Sequence, residues 1–530
     1  MHTTRRQALS YNEVMTQVLF HWPMVSALLV LGIGCAATPE IGDFPRKPSF
    51  ALERGDGTLL GEAARSGGWE QASGFALLNR GADALDVRLA MIDAAERSID
   101  VQTYLWHGDR TGHLLLEKVL RAADRGVRVR ILIDGFEVDG GFGAAAALAW
   151  HPNISMRAFN PYLQAGAAAH VLELLEDFGR LDHRMHDKLI VADGILAVAG
   201  GRNLGDEYLG LGEVFDFRDL DLAVAGPIVD ELERDFDEFW NSDYSVPVHD
   251  LASGNAASEV RHHARRSRLA ADIAGHPLLL RRRATEGEHW RPALGRLFED
   301  MHPGNGRVIR DVLYSSSGGL EDGGARLMAQ EFEALQVDAG EAMWFVTAYL
   351  VPDQAFVDHL RREVERGVRV RILTNSLAST NVPMVHAAYS SWRRPLIEAG
   401  VELHELRTDS AARSLYQSPG SSATRLGLHA KAALFGEDTV LVGSMNLDPR
   451  SMRLNTELGI VVESRALAAE LRRCLERDFS PTGSWRVEID SDGDLRWVAG
   501  ERILTRQPAL GSMQRATAWF WSFWPIDGEV

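Results

Sequence analysis

Apolar and polar positions along this chain follow two alternating periods. In Ser98-Ile-Asp-Val-Gln-Thr-Tyr-Leu105 the pattern is strand-like, with successive side chains assigned to opposite faces. Leu115, Leu116, Val119, Leu120 and Ala123 then fall on one face of a helix. Gly126 ends that helix, and Val127 to Ile133 is an apolar-rich strand. This is a β-α-β unit, which predicts a parallel strand pair. The same order returns later. Met343 to Leu350 reads as a strand, Val357, Leu360 and Val364 share a helical face, Gly367 ends the helix, and Val368 to Leu373 is the second strand.

The return is a duplication. Arg125-Gly-Val-Arg-Val-Arg-Ile-Leu132 recurs letter for letter as Arg366-Gly-Val-Arg-Val-Arg-Ile-Leu373, at an offset of 241. Tyr104-Leu105 matches Tyr349-Leu350, His186-x-Lys188 matches His429-x-Lys431, and Asn203 matches Asn446. Collinear matches at nearly one spacing mean two copies of one unit. They predict two α/β halves, residues 73–245 and 321–482, packed as a pseudo-symmetric pair around one active-site cleft. Residues 246–320 read as a mixed, Arg-rich connector with some helix, in which His262 and His263 belong to a solvated stretch, 39–72 as a tether, and 483–530 as a C-terminal Trp-rich extension.

Composition narrows the function. Apolar residues make up 45% and charged residues 25%, ordinary values for a globular chain. The net charge of −18 argues against broad nucleic-acid binding, which needs a basic surface. The two cysteines, Cys35 and Cys474, make neither a disulfide framework nor a zinc site.

The chemistry sits in a matched pair of segments. One runs from His186-Asp-Lys188 through Asp193-Gly194 to Gly200-Gly201-Arg-Asn203; the other runs from His429-Ala-Lys431 through Gly436 to Gly443-Ser444-Met-Asn446. Each reads as an apolar hairpin. Residues i and i+2 of a strand share a face, so each His and Lys project together. If the first hairpin turns at Asp193-Gly194, His186 lies across from about Gly201 and Asn203 sits near the same edge. Two ammoniums and two amides can hold the non-bridging oxygens of a phosphodiester and of its pentacoordinate transition state. One imidazole can attack phosphorus, and the other can protonate the leaving alkoxide and then deprotonate an acceptor alcohol. The lysines supply the positive charge, so neither metal nor cofactor is required. A carboxylate on the far nitrogen would orient each imidazole, and Asp219 and Glu457 occupy corresponding places.

These paired His-x-Lys segments, followed by Gly-Gly/Ser-x-Asn, resemble the phospholipase D superfamily. Arg184-Met-His-Asp-Lys188, Gly200-Gly-Arg-Asn-Leu-Gly-Asp-Glu-Tyr208, Leu373-Thr-Asn-Ser-Leu377 with Val385-His-Ala-Ala-Tyr389, and Asn446-Leu-Asp-Pro-Arg-Ser451 are similar to bacterial cardiolipin synthases within it. The resemblance covers about residues 72–500. It implies transfer of a phosphatidyl group to phosphatidylglycerol through a phosphohistidine, with phosphatidylethanolamine as a further donor. The catalytic set it implies is His186, Lys188, Asn203, His429, Lys431 and Asn446, oriented by Asp219 and Glu457. Tyr104, Tyr349, His386 and Tyr389 are expected to line the substrate cleft. The departure is Gly436, where the family carries the aspartate that stands here as Asp193. Asp193 reads as a hairpin-turn residue rather than a reacting group, and Gly436 is itself turn-competent. The alternatives are a phospholipase D-type hydrolase and an inactive lipid-binding homologue.

Both ends carry apolar or aromatic runs open to more than one reading. Arg5 and Arg6 precede a short apolar run that ends at Leu31-Gly-Ile-Gly-Cys35. Residues 1–38 therefore read as a signal with Cys35 as lipidation candidate, as an uncleaved membrane anchor, or as a plain export signal. Ala518-Trp519-Phe-Trp521-Ser-Phe523-Trp524-Pro525-Ile526 reads either as packing onto the body or as an interfacial aromatic anchor.

Overall fold

The computed structural model describes residues 41–523, apart from 137–140, 164–169, 171–172, 174–176, 253–257, 277–289, 314–325, 338 and 420. The readings placed on residues 1–38, including Cys35, and on Trp524, Pro525 and Ile526 lie outside the described residues. Among the described residues no helix is long and apolar enough to cross a membrane.

The two β-α-β units form as their periodicity dictates. In the first half β1 is Gly74–Leu78, β2 Ser98–Thr103, β3 Arg128–Asp134, β4 Ile154–Phe159, β5 Leu189–Ala192, β6 Leu196–Gly200, β7 Phe215–Arg218, β8 Asp221–Ala225 and β9 Ser245–Pro247. His302–Pro303 (β10) and Asn305–Arg310 (β11) lead to the second half. There β12 is Ala342–Val346, β13 Arg369–Asn375, β14 Glu402–Leu406, β15 Arg425–Leu428, β16 Ala432–Phe435, β17 Thr439–Gly443, β18 Leu458–Glu463, β19 Ser484–Ile489, β20 Leu495–Ala499 and β21 Arg502–Leu504. The helix Arg110–Asp124 joins β2 to β3, and Gln354–Glu365 joins β12 to β13. Each is capped by an aspartate, Asp109 accepting from Gly112 N and Asp353 from Phe356 N. Gly126 and Gly367 follow them at φ 98° and 94°, a left-handed turn that glycine adopts without a Cβ clash.

Sheet order shows the duplication strand by strand. One sheet runs β10-β1-β8-β6-β5-β2-β3-β4-β9, the other β11-β18-β17-β16-β12-β13-β14-β19-β20-β21. β2, β3 and β4 are parallel, as are β12, β13 and β14. The remaining pairs of both sheets are antiparallel.

Strand alternation divides the core into layers. On β6, Leu196 and Val198 join the outer core of the first half, while Ala197 and Ala199 join a central core. On β17, Val440 and Val442 enter that same central core and Leu441 turns to the outer core of the second half. Both sheets, the helix Val229–Asn241 and the helix Arg465–Asp478 feed the central layer, so the halves share one apolar interior.

Three segments pack more closely onto the body than the sequence reading expects. The tether is bound chain: Ser49 and Ala51 donate to Asn241 and Asp237, and the helix Leu59–Ser66 buries Leu60 and Ala64 in the first core. The connector is not simply solvated. Leu269, Ile273, Trp290, Leu294 and Phe298 cover the first core, and His262 is buried with Nδ1 bonded to Ala147 O. The C-terminal extension begins as sheet, since β19 to β21 continue the edge of the second half. In each case apolar residues spaced along a polar stretch found a core face.

Candidate active site

Short cross-half pairings build the site. β7 pairs in parallel with β15, in register from Phe215 with Arg425 to Arg218 with Leu428. The next residues, Asp219 and His429, are thereby brought together. A bridge between Met185 and Thr456 does the same for His186 and Glu457. His429 N donates to Arg218 O at 2.9 Å, and His186 N to Thr456 O at 3.0 Å.

Each imidazole is therefore oriented by the opposite half. His186 Nδ1 lies 2.9 Å from Glu457 Oε2, and His429 Nδ1 lies 2.6 Å from Asp219 Oδ2. A carboxylate only accepts, so Nδ1 carries the hydrogen and Nε2 keeps its lone pair. Both carboxylates are fully buried, and the ring side chains are 11% and 7% exposed. Gly201 makes one contact possible: a Cβ there would lie 2.3 Å from Asp219 Oδ1. Its counterpart Ser444 instead donates its hydroxyl to Glu457 Oε2.

Electrostatics tie the two constellations into one. Burial pushes His186 down to about 4, against the pull of Glu457, with Lys188 and Lys431 reinforcing the fall. Burial likewise takes His429 to about 3, helped by Lys431 and Lys188. Lys188 falls to about 7 and Lys431 to about 8, mainly through burial; the charge of Lys431 adds to the fall of Lys188. Burial opposes ionisation of Asp219 and Glu457, but the facing histidine and lysine charges win and hold both carboxylates low. Neutral imidazoles beside ionised carboxylates are the state that this balance of burial and charge favours near neutrality. Each lysine curls back to donate to the carbonyl of its own histidine, Lys188 to His186 and Lys431 to His429.

The motif asparagines are buried, and the amide oxygens of both Asn203 and Asn446 lack a hydrogen-bond partner. Such an atom costs about 1–3 kcal/mol unless something satisfies it. Asp193 sits away from the chemistry. Its φ is 55°, and its carboxylate accepts from the backbone N–H groups of Glu96, Arg97 and Ser98. Gly436 holds the same turn at φ 56°. Asp193 N donates to Ser98 O, and Gly436 N to Ala342 O. The hairpin register sets Leu189 opposite Ala199 and brings Gly200 N to Lys188 O, one step from the expected pairing.

Of the expected cleft residues, Tyr104 stands edge-on to His186 at 5.1 Å, with Lys188 Nζ 5.3 Å from its ring centre. Tyr349 is half-buried and donates its hydroxyl to Asn381 at 3.2 Å. His386 and Tyr389 do not line an open cleft. Tyr389 is 2% exposed with its hydroxyl on Glu405, and His386 accepts from Arg393 and meets Gln507. They belong to a closed network in which Arg393 and Trp497 also donate to Glu405.

Four supporting residues were given no role in the sequence reading. Tyr208 is buried, edge-on to His429 at 5.0 Å. Arg202 donates to the carbonyls of Tyr208 and Asp219. Asp134, the last residue of β3, accepts from Met185 N, and Asn375, the last of β13, accepts from Leu428 N. Each thus holds the residue before a motif histidine. The signal was available: Asp134 and Asn375 stand two residues after the repeated octapeptide. Among the described residues, donor atoms of His107, Asp109 and Glu207 lie within 4.8 Å of one another, a spacing open to a cation. All three are only partly buried, and Asp109 already accepts from Gly112 N and Asp206 N.

With this geometry in hand, comparison with known proteins is decisive. The family described as "Cardiolipin synthase, PLD-like domain" matches residues 89–240 and 336–479. The chain belongs to this family. It is an enzyme of the phospholipase D superfamily. It is 33% identical over 462 residues to cardiolipin synthase C of Escherichia coli (strain K12), covering 85% of this chain and 94% of that protein. It is 27% identical over 416 residues to cardiolipin synthase A of Pseudomonas entomophila (strain L48), covering 78% and 70%. Among solved structures, phosphatidylserine synthase of Haemophilus influenzae Rd KW20 superposes with a TM-score of 0.52 at 15% identity, covering 79% of this chain and 90% of that one. That likeness is one of fold.

Proposed function

We propose that this enzyme forms cardiolipin by transferring a phosphatidyl group to phosphatidylglycerol through a phosphohistidine. One observation carries the reading: two imidazoles, each with Nδ1 on a carboxylate of the opposite half, feel the charges of both motif lysines. In the first step His186 Nε2 attacks phosphorus of the donor phospholipid. A P–N bond forms, the P–O bond to the donor headgroup breaks, and His429 protonates the departing alkoxide. In the second step His429 takes the proton of a phosphatidylglycerol hydroxyl. That oxygen attacks phosphorus, and the P–N bond breaks.

His429 is neutral at rest, so it must gain its proton with the substrate. The anionic phosphodiester raises the proton affinity of the imidazole and of Lys188 and Lys431 together, offsetting the burial that lowers them. Phosphatidylglycerol or phosphatidylethanolamine serves as donor, and a membrane surface supplies both lipids. The side-chain NH2 groups of Asn203 and Asn446 donate the remaining hydrogen bonds to the non-bridging oxygens. Loss of the motif aspartate at Gly436 leaves this machinery intact, because its counterpart Asp193 serves the backbone. That argues against the inactive homologue.

The test is a lipid-transfer assay in detergent with products identified by mass. Cardiolipin in excess over phosphatidic acid is expected from phosphatidylglycerol. Phosphatidic acid alone would make the enzyme a hydrolase, and absence of any phosphoenzyme would end the reading.

A further inference from the structure

The helix Ser512–Trp521 carries its apolar face outward. Its inner side is modest: Ala518 is buried, and Gln514 donates to Leu377 O. On its outer side Met513 is 78% exposed, Trp519 65% and Phe523, just past the last turn, 66%. With Ala516 they span an arc of about 120° on the helix. A helix of a water-bathed body shows the opposite arrangement.

Two further observations say what this face meets. The first is charge. Between Glu501 and Asp527 the chain carries Arg502, Arg506 and Arg515 and no acidic residue, in a protein of net charge −18. Aromatic residues beside arginines, with no acid between, suit the headgroup level of an anionic lipid surface. The second is position. Ala378 N donates to Pro508 O, so the segment leading into the helix rests on residues 376–382. Those residues follow directly from Asn375, which brackets Leu428 beside His429, and they include Asn381, the partner of Tyr349. The helix is therefore tied to the loop that follows β13, the strand whose last residue holds Leu428 beside His429.

We propose that this face is a bilayer-docking surface: Met513, Trp519 and Phe523 enter the headgroup boundary of an anionic phospholipid membrane, with Arg506 and Arg515 against its phosphates. Docking there holds the body at the surface that supplies its lipids. The inference rests on the phospholipid-transfer reading above.

Hydrogen–deuterium exchange on the full chain reads this helix separately from the N-terminal apolar run. Vesicles of phosphatidylglycerol and phosphatidylcholine are expected to protect residues 512–523, and pure phosphatidylcholine vesicles to protect them less. The double variant Trp519→Ser/Phe523→Ser removes exposed rings only. It should lose the protection, fall by about tenfold or more on vesicle-borne phosphatidylglycerol, and keep wild-type turnover on monomeric short-chain phosphatidylglycerol. Equal vesicle turnover by variant and wild type, or no protection of the helix, overturns the proposal. Protection without vesicles that grows with protein concentration would mark a contact between copies and overturn it as well. Failure of the wild type on the short-chain substrate would instead strike the transfer reading.

Discussion

At the residue scale, histidine and lysine are useful here because their protons are poised. Burial keeps His186 and His429 neutral well below pH 6 and brings Lys188 and Lys431 within reach of deprotonation near pH 7 to 8. The free enzyme should therefore lose kcat/KM on the acid side only near pH 4, where His186 takes a proton. Above that it should fall as the proton that His429 takes up with the substrate grows scarcer, and more steeply as the lysines discharge through pH 7 to 8. A steepening that begins only near pH 10 would mean that the lysines keep their charge. Stability follows with a definite sign. The unfolded chain binds protons on these histidines below their usual 6.5 while the folded protein does not until about 4. Folding is thus weakened as pH falls through that window. Acid denaturation followed with His186→Gln should show a shallower loss there.

At the element scale, the hairpin turns separate scaffold from chemistry. Asp193 closes the first turn by accepting three backbone N–H groups, whereas Gly436 makes the same turn without them. Asp193→Gly retains the left-handed geometry and removes only the carboxylate. We expect a loss of about 1–3 kcal/mol in denaturant unfolding with turnover unchanged. Turnover as low as that of His186→Ala would place Asp193 in the chemistry. The strand ends are equally specific: Asp134 and Asn375 hold the residues before each histidine, so Asn375→Ala should lower kcat more than stability accounts for.

At the scale of the whole molecule, the halves exchange their orienting groups. Glu457→Gln should behave like His186→Ala and abolish phosphoenzyme formation, with activity down by about 10²-fold or more. Asp219→Asn should behave like His429→Ala. Both should still give a burst of phosphoenzyme with a phosphodiester whose leaving group, such as p-nitrophenolate, needs no proton. Burst kinetics with that substrate check the pairing. If Asp219→Asn loses the burst and Glu457→Gln keeps it, the two histidines exchange roles.

Much of this was legible in the chain because it is local or periodic. Two β-α-β units, their glycine stops, the duplicated His-x-Lys hairpins and the family follow from patterns that one stretch of backbone carries by itself. Asp219 and Glu457 were legible as candidates, but not their exchange between halves, since a carboxylate's partner depends on which strand lies beside it. How closely the tether, the connector and the extension pack was not legible for a related reason: scattered apolar residues declare a buried face only once another element covers them. His386 and Tyr389 stood in a family-like stretch, yet Glu405 and Arg393 drew them into the interior. Sequence alone determined which groups this protein owns and the period on which it displays them. Tertiary structure decided which groups meet, because the pairings of β7 with β15 and of Met185 with Thr456 join residues more than two hundred positions apart.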